Sequence, residues 1–196
     1  MLKLVGIVFF VFIVLMILII LKGAITPMVP RNYTQTVPTG GAVEKSHLKM
    51  GPYEIGYYEE PADDILKKYQ VYYPTELKNN EKSYPAVVFV NGTGVPASKY
   101  KAIFEHLASW GFIVIGSEDK ESWPGTSSDQ CLNFLMEQVK NRDSIFYKKI
   151  DFENIGISGH SQGGIGVFNA ITEHEHCRIY KAAVALSPQM RNRLYL

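Results

Sequence analysis

The hydrophobic pattern changes period twice along the chain. From Leu4 to Leu21 it runs 18 residues without a charge, bracketed by Lys3 and Lys22. A helix of that length rises about 27 Å, close to the hydrocarbon thickness of a bilayer. It is apolar all round, which argues against a helix with one face on a soluble core. Gly23-Ala24-Ile25 is a poor cleavage site and no lipobox cysteine follows. Residues 1–22 therefore read as an uncleaved transmembrane signal anchor, with a cleaved signal as the alternative. Lys3 and the amino terminus stand against Lys22 and Arg31 in setting orientation, and the expectation is a single-pass protein with its domain outside the cytoplasm.

Residues 23–46 hold Pro27, Pro30, Pro38, Gly40 and Gly41 with little periodicity, and read as a linker lifting a domain off the membrane. From residue 47 the pattern is that of a folded domain. Tyr53, Ile55 and Tyr57 alternate within a strand over 52–60, and Tyr69, Val71 and Tyr73 within a second that Pro74 ends. Ala86–Val90 is continuously apolar and β-branched, the mark of a strand buried on both faces. Pro96 opens a helix whose apolar positions are Ile103, Phe104, Leu107 and Trp110, and Gly111 closes it. Phe112–Ile115 is the next buried strand. A loop over 117–127 carries Glu118, Asp119, Trp123 and Pro124, and Ser127-Ser128-Asp129 is expected to cap a helix through Leu132, Leu135, Met136 and Val139. Ile155 and Ile157 lie in a strand, a helix runs to about Thr172, and Ala182–Leu186 is the last strand. Such alternation predicts an α/β fold: a mostly parallel sheet, helices on both faces, and active residues at the carboxyl ends of strands.

Composition narrows this further. Hydrophobic residues make up 46% of the 196, enough for one core beyond the leader. Net charge is +1, and removing Lys3 and Lys22 from the 20 basic residues leaves 18 against 19 acidic, so no basic face points to nucleic acid. No repeat or low-complexity tract is present. Cys131 and Cys177 fall on successive crossover helices, about 20 Å apart by helix length, and are expected as free thiols. Glu173-His174-Glu175-His176-Cys177 suggests a metal site, but histidines at i and i+2 do not share a helical face, so the segment reads as a solvated helix end. Neither metal nor cofactor is implied.

One stretch carries chemistry. Ile155-Gly156-Ile157-Ser158-Gly159-His160-Ser161-Gln162-Gly163-Gly164 places Gly-x-Ser-x-Gly between a strand and a helix. That context holds the serine hydroxyl out over the sheet edge on a strained turn. The flanking glycines avoid the neighbouring strand and helix, and the helix amino terminus favours a developing oxyanion. Ser161 is the candidate nucleophile; without its context the motif is an ordinary glycine-rich turn. His160 is expected to be a packing residue.

These residues, with Val88-Phe89-Val90-Asn91-Gly92-Thr93-Gly94 and Leu107-Ala108-Ser109-Trp110-Gly111-Phe112-Ile113-Val114, resemble the α/β-hydrolase superfamily. Within it they are most similar to dienelactone hydrolases, chlorophyllases and cutinase-like polyester hydrolases. The resemblance covers about residues 50–190 and is unspecific for substrate. It implies attack by Ser161 on the carbonyl of a small or polymeric ester, with the oxyanion held by the N–H groups of Gln162 and Thr93. Asn91 stands where many relatives have histidine or proline. In this fold the triad acid and histidine follow the serine, yet only Glu173, His174, Glu175 and His176 do so here, about 15 Å or more down the helix. Glu118 and Asp119 precede the nucleophile, an unusual place for the acid. The expectation is a carboxyl-terminally incomplete hydrolase domain over 47–196, inactive or nearly so alone. A non-catalytic binding module and an acyltransferase on the same scaffold are the alternatives. Trp123 could stack on substrate or shield the sheet edge.

Overall fold

The structure is a computed structural model describing residues 2–36 and 40–188. Pro38 of the expected linker and residues 189–196 of the expected domain lie outside the described residues. Helix α1 runs over Leu2–Ile25, and its Val5–Ile25 stretch of 21 residues is long and apolar enough to cross a membrane. The following segment carries two short helices, α2 (Tyr33–Thr36) and α3 (Ala42–His47).

Six strands form one sheet: β1 (Ile55–Pro61), β2 (Lys68–Pro74), β3 (Tyr84–Val90), β4 (Ile113–Ser117), β5 (Ile150–His160) and β6 (Tyr180–Leu186). Their order across the sheet is β1-β2-β4-β3-β5-β6. The expected parallel arrangement holds for β4, β3, β5 and β6, where Val87 pairs with Val114, Val88 with Ile157 and Ser158 with Val184. The two amino-terminal strands differ: β2 runs antiparallel to both β1 and β4. A short connection suffices between antiparallel strands, whereas the parallel ones need the crossover helices that begin only after β3. The sheet is therefore mixed.

Helix α4 (Lys101–Ser109) lies on one face; α5 (Thr126–Gln138) and α6 (Gln162–Thr172) lie on the other. Period-two alternation along β3 splits its side chains between two cores. Phe89 packs with Phe104, Ala108, Tyr72 and Val114 under α4. Val88 and Val90 pack with Leu132, Leu135, Val167 and Ala170 under α5 and α6. Both faces of β3 are covered, which explains its unbroken apolar sequence.

Gly111 does stop α4, at φ 97° with its N–H donating to the Ala108 carbonyl. The serine cap expected for α5 does not form. That helix starts at Thr126 behind Gly125, whose φ is 87°. Ser128 Oγ donates back to the Gly125 carbonyl at 2.6 Å, and Ser127 Oγ donates to the Asp119 carboxylate. The carboxylate outcompetes the helix amides for that hydroxyl because an ionised acceptor makes the stronger bond.

Residues 28–36 and 40–53 lie along α4 and its ends. Met28 N–H donates to the Lys99 carbonyl at 3.0 Å and Tyr53 N–H to the Ser109 carbonyl at 3.1 Å. Between them, the Tyr33 ring meets His106 edge-on and the His47 ring stacks on Trp110.

Two substitutions test the packing. Phe104 is fully buried, and Phe104→Ala should cost about 3–5 kcal/mol in urea unfolding. Phe168 on α6 is 52% exposed, so Phe168→Ala should change stability by less than about 0.5 kcal/mol. Equal losses would contradict the two-core arrangement.

Candidate active site

Strand β5 ends at His160 and α6 begins at Gln162, leaving Ser161 alone to turn the chain. Its backbone sits at φ 56°, ψ −120°, a conformation that a residue with a Cβ adopts only under constraint. The constraint is visible. Ser161 N–H donates to the Leu186 carbonyl at the end of β6, and its own carbonyl accepts from Gly164 N–H, both at 2.9 Å.

The flanking glycines are required by space. A Cβ on Gly159 would lie 2.3 Å from the Gly163 carbonyl oxygen, and one on Gly163 would lie 2.2 Å from that of Val90. The start of α6 therefore packs directly on the carboxyl end of β3. That approach delivers the amino terminus of the helix to the loop after β3, where the sequence placed the second oxyanion donor.

The loop over 91–95 is stitched from several sides. Asn91 is buried, and its Nδ2 donates to the carbonyls of Ser117 and Asp119 at 2.7 Å each, joining the ends of β3 and β4. Gly92 N–H donates to the Tyr100 hydroxyl at 3.1 Å, Gly94 N–H to the Lys120 carbonyl at 2.8 Å, and Val95 N–H to the Gly92 carbonyl at 3.0 Å. Among the described residues, the amide of Thr93 is left without a partner. The Thr93 hydroxyl donates to Gln162 Oε1, so the two residues singled out from sequence meet beside Ser161. Asn91 acts as a brace, a role its sequence position did not announce.

Trp123 is half-buried on the segment that lies against α6. Its carbonyl accepts from Asn169 Nδ2 at 2.8 Å, and the Ser122 carbonyl packs against Gly166.

All five histidines of the chain are engaged away from Ser161. His47 Nδ1 is 2.8 Å from the Val43 carbonyl and His106 Nε2 is 2.8 Å from the His47 carbonyl. His160 Nδ1 is 3.1 Å from the Tyr100 hydroxyl. His174 Nε2 is 2.9 Å from the Pro124 carbonyl, and His176 Nδ1 is 3.2 Å from Asp129 Oδ1. The early carboxylates are committed as well. Glu118 accepts from Gln70 Nε2 at 2.7 Å and from Ser98, while Asp119 accepts from Ser127 Oγ and from Glu121 N–H at 2.8 Å. Cys131 is a buried free thiol whose pKa burial pushes up, which removes it as a nucleophile. Cys177 is also free.

A mixed sheet with four parallel strands, a strained serine at the end of one of them and a helix starting just after that serine define the α/β-hydrolase class. The chain belongs to the PET hydrolase-like family, whose model matches residues 37–195. Curated relatives agree. It is 26% identical over 153 residues to a chlorophyllase type 0 of Chenopodium album, covering 70% of this chain and 44% of the relative. It is 31% identical over 126 residues to cutinase 1 of Thermobifida cellulosilytica, covering 63% and 45% respectively. It is 31% identical over 163 residues to cutinase 2 of the same organism, covering 80% and 57%. The chain thus spans about half the length of these relatives, which are serine ester hydrolases.

The steric account of the turn predicts a contrast between two glycines. Gly163→Ala should cost more than about 2 kcal/mol because backbone cannot yield. Gly156→Ala should be neutral or stabilising by up to about 1 kcal/mol, since its nearest neighbour would stand 3.7 Å away. Thermal unfolding of both variants measures this, and equal tolerance would contradict the turn geometry.

Proposed function

We propose that this chain is the nucleophile-bearing part of a serine carboxylic ester hydrolase. Ser161 Oγ attacks the ester carbonyl carbon, and the N–H groups of Thr93 and Gln162 receive the oxyanion. Collapse of the tetrahedral intermediate expels the alcohol and leaves an acyl group on Ser161. The observation that carries this reading is the meeting of Thr93 and Gln162 beside a serine at φ 56°. The positive end of α6, pointing at the same spot, adds to the stabilisation.

A serine hydroxyl needs a base to accept its proton. In this reading the triad histidine and acid are missing from residues 2–36 and 40–188: all five histidines bind elsewhere, and Glu118 and Asp119 are committed to other donors. The same observation favours a second reading, a non-catalytic relative that holds a ligand in the cleft; an acyltransferase would share the acyl-enzyme step and differ in its acceptor. Trp123 is a candidate for substrate contact beside the turn. Residues 4–21 are the proposed single-pass membrane anchor, with residues 47–196 outside the cytoplasm. The exposure of α1 along its apolar length supports the anchor.

Fluorophosphonate labelling of the 196-residue chain tests the nucleophile. Without a base the rate should fall roughly 10⁶-fold below that of an intact triad. It should rise with added imidazole, and Ser161→Ala should abolish it. Imidazole-stimulated labelling that survives Ser161→Ala would take Ser161 out of the mechanism. Absence of stimulation would favour the non-catalytic reading.

A further inference from the structure

The carbonyl end of α1 is held by a side chain that the ester chemistry does not use. Lys99 Nζ donates to the carbonyls of Gly23 at 3.2 Å and Thr26 at 2.8 Å, and to that of Ala24. An ammonium at this position satisfies orphan carbonyls and opposes the negative pole of the helix. Met28 N–H donates to the Lys99 carbonyl at 3.0 Å, and Val29 packs against the core under α4. The last turn of α1 is therefore clamped to the body of the fold.

The place of the clamp matters. Lys99 belongs to the 3₁₀ turn Ala97–Tyr100, which follows the loop carrying Thr93. The neighbouring Ser98 Oγ donates to Glu118 Oε2 at 3.2 Å, just past the end of β4. The clamp thus sits at the carboxyl edge of the sheet, the edge that bears Ser161. Thr93 precedes Lys99 by six residues, at most about 20 Å of chain. Met28 meets the Lys99 carbonyl at that edge and Tyr53 N–H donates to the Ser109 carbonyl at the far end of α4, so the chain after α1 has reached the opposite edge by Tyr53. The α1 residues from Val5 to Ile25 are all exposed, so among the described residues no part of the domain covers them.

We infer that the edge bearing Ser161 faces the bilayer surface, and that the substrate is an ester carried in the membrane. The substrate clause rests on the nucleophile reading above; the orientation does not. A bilayer entered by α1 immediately beyond Ile25 lies ahead of Thr93, Gln162 and Ser161. An amphiphilic ester at the headgroup level meets the site directly, whereas the far edge of the sheet stands about 23 Å further away, seven residues of β5 between Glu153 and His160.

Two labels measure the orientation in the full chain reconstituted in phosphatidylcholine vesicles. Lys120→Cys lies by the site and Glu153→Cys at the opposite edge, each on a Cys177→Ser background, with Cys131 buried. An environment-sensitive fluorophore at Lys120→Cys should be quenched by headgroup spin-labelled lipid at least threefold more than one at Glu153→Cys. Lys99→Gln should shrink that difference by at least half. Equal or reversed quenching overturns the orientation, as does a mature chain starting beyond residue 25. A difference untouched by Lys99→Gln removes the clamp from the account. For the substrate, a long-chain alkyl fluorophosphonate should label Ser161 in vesicles with imidazole at least tenfold faster than a short water-soluble one. A preference for the soluble probe overturns the membrane-borne ester. Labelling by neither overturns the nucleophile reading and the substrate clause with it, while the quenching still decides orientation.

Discussion

The close approach of Gly163 to the end of β3 is the constraint on which the site depends. Because no Cβ intervenes, the first turn of α6 rests on the carbonyls of Val90 and Asn91. That contact fixes where the helix begins, holds Ser161 at φ 56°, and brings Gln162 to Thr93. The backbone strain at Ser161 is of order 1–3 kcal/mol and persists because the surrounding structure over-determines it. Ser161 N–H closes the parallel ladder with β6, so the turn is pinned from both neighbouring strands.

The brace at Asn91 extends this rigidity sideways. Its two donated bonds tie the loop after β3 to the loop after β4, and Gly94 ties back to Lys120. A side chain that bonded only within its own loop would leave the two loops free to separate. With both held, the amide of Thr93 stays spare and is positioned without reorganisation. Such pre-positioning is what makes backbone donors effective towards developing charge.

Much of this was legible in the residues, for identifiable reasons. The unbroken apolar run of β3 reported a strand covered on both faces, and the paired glycines around Ser161 reported a turn with no room for side chains. Gly111 marked a helix end because its positive φ is a local property. What sequence did not reveal depended on partners distant along the chain. Ser127 reads as a helix cap until Asp119 is placed beside it. Asn91 reads as a substitution in a loop until the ends of β3 and β4 are brought together. Lys99 reads as one surface cation among many until the carbonyls of α1 arrive next to it. The direction of β2 was equally hidden, since alternation shows which faces are buried and not which way a strand runs.

The geometry separates two requirements of ester hydrolysis that usually appear together. In the proposed reaction, oxyanion stabilisation would fall to backbone amides and a helix end, all within the strands and turns described. Proton transfer needs an imidazole, and each imidazole here is spent on another contact. A crystal structure of the phosphonate adduct at Ser161 tests this account most directly. It should place the phosphonyl oxygen about 2.7–3.1 Å from the nitrogens of both Thr93 and Gln162. An adduct whose oxygen points to solvent, or to donors other than these two amides, would contradict it.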